Sequence, residues 1–160
     1  MTFDEVDAAL VDLLATDARV NAVDGSAQLG IARSTFTARL ERLLASGAVT
    51  LTPSIDPDKV GFGVTAFISA EIRQNHRNRG VIERLTSIPE VVEVHTVTGG
   101  SDLLIRVVAR SNRDLQSVID RIAAHDDVLH TSTSIALDTP IALRTQGLLR
   151  RSLETPQDPA

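Results

Sequence analysis

The sequence contains no cysteine, no tryptophan and no tyrosine, and only four phenylalanines. The absence of cysteine excludes disulfide bonds, thiolate metal sites and cysteine nucleophiles. No apolar run approaches the roughly 18 residues of a membrane-spanning helix, and the first residues lack the basic-then-apolar layout of a signal peptide. We therefore expect a cytoplasmic protein without a membrane partner, whose core is built from aliphatic side chains.

Positive charge is scarce in this chain and unevenly distributed. The net charge is −5, and Lys59 is the only lysine among 16 basic side chains. Residues 32–46 nevertheless hold three arginines against one glutamate, whereas the rest of the first 50 residues holds one arginine against six acids. Such a local concentration is what a DNA-reading helix needs, because attraction to phosphate is screened within roughly 10 Å. A solvated helix in a small bundle has a similar composition.

The first 50 residues show the periodicity of three short helices, which we predict at residues 4–16, 22–29 and 33–45. Asp4 and Asn21 are suitable N-caps for the first two, and Gly30 stands where a helix end favours left-handed backbone. Three short helices with a glycine between the second and third are typical of a helix-turn-helix. Any small helical bundle is the alternative.

The rest of the chain alternates between strand and helix patterns. Residues 64–73 alternate apolar and polar side chains, which predicts a strand with one apolar face. Further strands are predicted at 91–98, 103–110 and 128–137, and helices around 81–88, from Asn112 and from Pro140. The order βαββαβ is the ferredoxin-like arrangement. Because its two helices cover one face of the sheet, Phe67 and Val97 on the other face indicate a partner.

The turn-rich residues 56–63 separate the two halves of the chain. We predict four segments: a helix-turn-helix domain at 1–49, a linker with a strand (residues 49–55) at 50–63, a ferredoxin-like domain for ligand binding and dimerisation at 64–153, and a flexible tail at 154–160.

Motifs in both halves resemble those of the Lrp/AsnC transcription regulators. The N-terminal ones are Asp17-Ala18-Arg19, Leu29-Gly30-Ile31 and a third helix close to S-x-S-T-V-x-x-R-[VI]-x-x-L, with Phe36 at the valine position. Residues 97–107 resemble the family's V-T-G-x-x-D-x-L-L-x-V signature, and residues 131–137 its T-x-T-x-[IV]-x-L strand. The resemblance implies an α+β protein, with a winged-type helix-turn-helix domain followed by a ferredoxin-like effector and oligomerisation domain.

The resemblance also implies the residues that bind DNA. The base-reading positions are Arg33, Ser34, Thr37 and Ala38, and the positions near phosphates are Arg39 and Arg42. Only Arg33 is able to make a bidentate contact with guanine. The implied partner is double-stranded DNA, which a homo-oligomer (a dimer, or a tetramer or octamer built from dimers) contacts in successive major grooves.

A small-molecule effector, an amino acid, is implied at a dimer-interface loop. The loop residues are Thr98, Gly99, Gly100, Ser101 and Asp102, and the neighbouring polar wall is Thr131, Thr133 and Ser134. Backbone amides of the glycine loop are expected to hold the carboxylate, while Asp102 either holds the ammonium group or orders the turn. From the residues alone, a plain hairpin turn is the alternative. The strand-turn-strand context excludes a P-loop, which requires a following helix.

Five positions depart from the family pattern. Gly25 replaces a core leucine, and we expect it to weaken the second helix and to leave a hole in the small core. Ala32 replaces a serine N-cap, and Ala38 replaces a polar base-reading residue. Ser101 and Leu103 stand where aromatic residues are common. These departures bear on DNA affinity and effector identity, not on the fold.

No set of residues suggests catalysis or metal binding. His95 and His130 lie at similar positions on two predicted strands, without a carboxylate at ligand spacing, while His76 and His125 lie near the ends of elements. No Ser-His-Asp arrangement is present. We therefore expect a DNA-binding regulator modulated by an amino acid, not an enzyme and without a cofactor. The alternative is an amino-acid-binding oligomeric sensor whose helical domain binds protein.

Overall fold

The computed structural model describes residues 2–73 and 78–154, except for the side chains of Asn78 and Arg79. It contains two compact units, one formed by Met1–Pro53 with Ile141–Ala160 and the other by Ser54–Pro140. The segment after residue 140 thus groups with the first unit, and the prediction that assigned it to the ferredoxin-like domain is corrected. No described helix has the length and apolarity to cross a membrane. His76 and the tail from residue 155 lie outside the described residues.

The three N-terminal helices lie where they were predicted. They are α1 (Glu5–Thr16), α2 (Ala22–Leu29) and α3 (Arg33–Ala45). Asp4 caps α1 in a capping box, in which Asp4 and Asp7 each accept a hydrogen bond from the other's backbone N–H. Asn21 accepts from the first turn of α2, and Gly30 ends that helix with φ 64°. Local capping chemistry therefore determines these boundaries.

The core of the first unit is small and centred on Phe36. Leu10, Leu14 and Leu43 are buried around it. The prediction of a hole at Gly25 is wrong, because the ring of Phe36 fills this space. A Cβ at Gly25 would lie only 2.4 Å from Phe36 Cε2. The larger aromatic side chain on α3 thus occupies the volume that a leucine on α2 would fill.

Two predicted elements of the first unit are wrong. The described residues 50–55 form no strand, because a strand needs a neighbour for its backbone hydrogen bonds and no described segment pairs with them. The described part of the first unit therefore contains no strand that could form the wing of the predicted winged helix-turn-helix domain. The helix predicted from Pro140 begins only at Gly147, as α6 (Gly147–Glu154). Arg150 on α6 forms ion pairs with Glu5 and Asp12 on α1, at 3.1 and 2.6 Å.

The second unit is the predicted βαββαβ domain. Its elements are β1 (Val64–Ile72), α4 (Asn78–Thr86), β2 (Val91–Thr96), β3 (Leu103–Ala109), α5 (Asn112–Ala123) and β4 (Val128–Ile135). The strands form one antiparallel sheet in the order β2-β3-β1-β4. The sequence predicts Asn112 as the N-cap of α5, but Ser111 caps this helix, because its side chain accepts a hydrogen bond from Asp114 N. Asn112 is instead the first helical residue.

One face of this sheet is packed and the other is open. Alternate residues of β1 are buried with side chains of β3, α4 and α5, and the core comprises Ala66, Ile68, Ala70, Ile72, Val81, Leu85, Ile88, Leu103, Ile105, Val107, Ala109, Leu115, Val118 and Ile122. Phe67, which points away from this core, is 39% exposed. On β2, His95 Nε2 lies 2.9 Å from Glu93 Oε1. The alternation of buried and exposed positions on β1 follows the prediction.

Candidate functional site

The solvent side of α3 carries the four predicted base-reading residues. Arg33, Ser34, Thr37 and Ala38 are all exposed, whereas Phe36 on the same helix is buried. Arg33 forms no ion pair with any residue that the structure describes. At the start of α3, Ala32 makes no side-chain capping bond, as its departure from the family pattern predicted. Exposed polar side chains therefore lie beside a helix start that has no side-chain cap.

The other two arginines of α3 are engaged by the N-terminus of α1. Arg39 Nη1 donates to both carboxylate oxygens of Asp4, at 2.7 and 2.8 Å, and to Asp7 Oδ1 at 2.9 Å. Arg42 Nη2 donates to Asp7 Oδ2 at 2.5 Å. Asp7 thus bridges the two guanidinium groups, which lie one helical turn apart on α3.

The two aspartates differ strongly in exposure. The Asp7 side chain has 0% exposure, while that of Asp4 has 51%. The hydrogen bond from Arg39, together with the one from Asp7 N, holds the pKa of Asp4 below its ordinary value of 3.8. The same contacts with Asp4 and Asp7 raise the pKa of Arg39. The buried carboxylate is the kind that needs paired, hydrogen-bonded partners to remain charged.

These ion pairs offset much of the positive charge of α3. Two of its three arginines face carboxylates of the same unit, so the concentration of positive charge read from the sequence is largely neutralised. Sequence reasoning identified Asp4 only as a helix cap and assigned no ion pair to Asp7. A signal was present, since Asp7 stands at helical spacing with Leu10 and Leu14 on the buried side of α1.

A shallow depression runs beside these residues on the surface of α3. It is lined by Ser34, Thr35, Ala38, Arg39 and Arg42. Arg39 and Arg42 retain side-chain exposures of 26% and 43%. The depression therefore brings two predicted base-reading residues and both predicted phosphate-proximal arginines to one surface.

The predicted effector loop is a hairpin turn tied to β1. Gly99 adopts φ 119°, which only glycine tolerates well. Val97 N donates to Asp102 O at 3.0 Å, and Asp102 N donates to Ala70 O at 3.0 Å. The Asp102 carboxylate accepts from Ile72 N at 2.8 Å. Of the two predicted roles for Asp102, the ordering of the turn has direct geometric support.

The predicted polar wall is divided between the two faces of the sheet. On β4, Thr131 pairs with Ala70 and Thr133 with Ile68, both on the helix-covered face. Ser134 pairs with Phe67 on the open face. Ala70 also pairs with Leu103, which follows the loop, so Thr131 lies at the level of the loop one strand beyond β1. Within one chain the three residues therefore do not form a single wall.

A cavity of about 550 Å³ lies elsewhere, in the first unit. Its walls are side chains of α1 and α6 and residues 48–51, including Phe3, Val11, Leu51 and Leu149. None of the predicted site residues lines it. Among the described residues, no group of three histidine or acidic side chains is placed to hold a metal ion.

Known proteins resemble both units of the chain. Residues 65–145 match the family model of the Lrp/AsnC ligand binding domain. The HTH-type transcriptional regulator AldR of Mycolicibacterium smegmatis is 33% identical over 139 residues, which cover 84% of this chain and 81% of AldR. These two sequence matches support the assignment of the chain to this family.

Solved structures agree with this assignment. AsnC of E. coli aligns with a TM-score of 0.84 at 27% identity, covering 91% of this chain and 99% of AsnC. A feast or famine regulatory protein of M. tuberculosis, complexed with L-methionine, aligns with a TM-score of 0.80 at 28% identity, covering 90% of this chain and 98% of that one. The chain therefore belongs to the Lrp/AsnC family of HTH-type transcriptional regulators.

Proposed function

We propose that this regulator binds double-stranded DNA sequence-specifically through α3 and that an amino acid modulates its assembly or its DNA affinity. The observation that carries the proposal is the exposed polar side of α3, formed by Arg33, Ser34, Thr37 and Ala38. An α-helix with such a side fits the major groove, where base edges present a distinct pattern of donors and acceptors.

The chemistry of these four side chains indicates modest sequence preference for each half-site. Arg33 is able to donate two hydrogen bonds to one guanine, which discriminates by about 1–3 kcal/mol. Ser34 and Thr37 offer single hydroxyl contacts that several bases satisfy, and Ala38 is able only to touch a thymine methyl group. Two copies of α3, held at a fixed spacing by a homo-oligomer, would add the preference of a second half-site.

The open face of the sheet in the second unit supports self-association. Phe67 is 39% exposed there, which is unusual for an aromatic side chain at the centre of a sheet. A second copy placed on this face would bury it. The proposed assembly is thus a dimer unit, from which tetramers or octamers are built.

An amino-acid effector is supported by chemistry and by a relative. The M. tuberculosis relative was solved with L-methionine. In this chain a Cβ at Gly100 would meet no atom within 4 Å, so the backbone of the loop is open to a ligand. We propose that the loop Thr98–Asp102 contributes to the effector site, together with Thr131 at the same level of the sheet.

Fluorescence anisotropy with labelled DNA tests the proposed DNA binding. Fragments selected from a random-sequence duplex library supply the specific ligand. Arg33→Ala is expected to weaken binding to the selected sequence about 10-fold and to relax preference at one base pair. Arg113→Ala is the matched control, because Arg113 is an exposed arginine on α5 and its loss changes the net charge equally. Selection of no sequence, or equal losses in both variants, would contradict the proposal.

A thermal-shift titration with L-methionine and other amino acids tests the effector. A ligand that binds the folded state raises the melting temperature by mass action. Gly100→Val, which places a side chain in the open loop, is expected to abolish that rise while leaving the melting temperature of the ligand-free protein nearly unchanged. A rise that persists in Gly100→Val would exclude this loop.

A further inference from the structure

The contacts between α1 and α3 are unequal in a way that points to a division of roles. Asp7 is fully buried and holds both Arg39 and Arg42, whereas Asp4 is half-exposed and contacts only Arg39 of the two. Asp7 lies on the same side of α1 as the core residues Leu10 and Leu14. Its position is therefore fixed by the core as well as by its hydrogen bonds.

Both arginines line the depression on α3 and have partly exposed side chains. The remaining lining consists of the hydroxyl side chains of Ser34 and Thr35 and the methyl group of Ala38. Guanidinium groups donate only, and hydroxyl groups are able to donate. A surface with this chemistry suits a phosphodiester, whose oxygens accept hydrogen bonds and whose charge matches arginine.

We propose that Asp7 is a positioning residue for DNA, which orients the guanidinium groups of Arg39 and Arg42 to bind a backbone phosphate in this depression. The proposal rests on the proposed DNA binding by α3. Long arginine side chains lose rotamer freedom when they bind, and a carboxylate that fixes them beforehand reduces this loss. Asp4 is the exposed carboxylate that competes with the phosphate for Arg39.

The charges in this cluster make the proposal distinguishable from simple electrostatics. Two aspartates and two arginines sum to zero, so the cluster attracts DNA little at long range. If charge alone mattered, removal of either carboxylate would strengthen DNA binding, because a negative charge would disappear beside the phosphates. If Asp7 positions the arginines, its removal weakens DNA binding, whereas removal of Asp4 still strengthens it.

The test compares Asp7→Asn with its matched control Asp4→Asn on a labelled random-sequence duplex at a series of KCl concentrations. We expect Asp7→Asn to weaken binding about 10-fold and to lower the slope of log K against log salt by about 1–2 for each helix-turn-helix unit engaged. Asp4→Asn is expected to bind more tightly than the wild type. Equal strengthening in both variants would overturn the proposal.

A second variant keeps the test decisive if Asp7→Asn does not fold, as judged by circular dichroism. Arg42→Lys retains the charge but replaces the planar fork that bridges Asp7 and the depression. It is expected to weaken duplex binding several-fold, and wild-type binding by this variant would overturn the proposal. Absence of salt-dependent binding by the wild type would contradict the proposed function itself. Normal wild-type binding with an unaffected Asp7→Asn would contradict only the role of Asp7.

Discussion

Gly25 and Phe36 form a complementary pair, in which the aromatic ring of one takes the place of a side chain on the other. The contact would be 2.4 Å from a Cβ at Gly25 to Phe36 Cε2, closer than carbon atoms approach without strain. Gly25 is buried within α2, although glycine in a helix interior is destabilising relative to alanine. Glycine at position 25 therefore lowers the helix propensity of α2 but leaves room for the aromatic ring of Phe36 in the core.

Gly25→Ala is expected to destabilise the protein by about 1–2 kcal/mol, because overpacking by the new methyl group outweighs the gain in helix propensity. The measurement is the free energy of unfolding in urea. In a Phe36→Val background, where the ring is absent, the same substitution should stabilise by about 0.5–1 kcal/mol. Stabilisation by Gly25→Ala in the wild-type background would mean that the ring does not fill this space.

The hairpin loop offers a matched pair of glycines. Gly99 has φ 119° and Gly100 does not have a positive φ. Gly99→Ala is expected to lower the free energy of unfolding by about 1–3 kcal/mol through backbone strain, while Gly100→Ala should change it by less than about 0.5 kcal/mol. Thermal unfolding of the two variants measures the difference. Equal effects would show that the loop is not held in this conformation.

Self-association through the open sheet face is tested by a charge placed on it. Phe67→Glu should shift the assembly toward monomers, because an unpaired carboxylate would be buried between copies. Ile82→Glu is the control, since Ile82 on α4 is 40% exposed and Phe67 39%, but only Phe67 lies on the open face. Light scattering after size exclusion measures the mass. Dissociation by both variants, or by neither, would argue against this interface.

The ion pair between Glu90 and Arg121 predicts a specific loss of stability in acid. Arg121 Nη2 lies 2.8 Å from Glu90 Oε2, and the guanidinium group of Arg121 beside it holds the pKa of Glu90 below its ordinary value of 4.5. A carboxyl group whose pKa is lower in the folded state stabilises that state above its unfolded pKa. This contribution disappears as the pH falls through the lowered value.

Glu90→Gln should therefore be less stable than the wild type at neutral pH by about 0.5–1 kcal/mol, with the difference shrinking as the pH falls below 4.5 and vanishing below the lowered pKa of Glu90. Urea unfolding across this pH range measures it. Glu83→Gln is the control, because Glu83 is exposed on α4 and forms no ion pair with a described residue. A constant difference at every pH would show that the charge of Glu90 is not the cause.

The sequence alone was sufficient for features that depend on near neighbours in the chain. The ends of α2, the C-terminal end of α3, the cap at Asp4 and the turn at Gly30 follow from capping and backbone preferences within a few residues. The βαββαβ order follows from periodicity, because a strand and a helix each impose their own spacing on apolar residues. The family motifs added the identity of the two units.

Only the tertiary structure decided the features that depend on residues far apart in the chain. Residues 50–55 have strand composition but no described neighbour to pair with, and Gly25 leaves no hole because Phe36 fills it. Asp7 stands at the third position of α1, yet it holds two arginines more than 30 positions away. Periodicity and capping carry no information about which surfaces meet, since that depends on how whole helices pack.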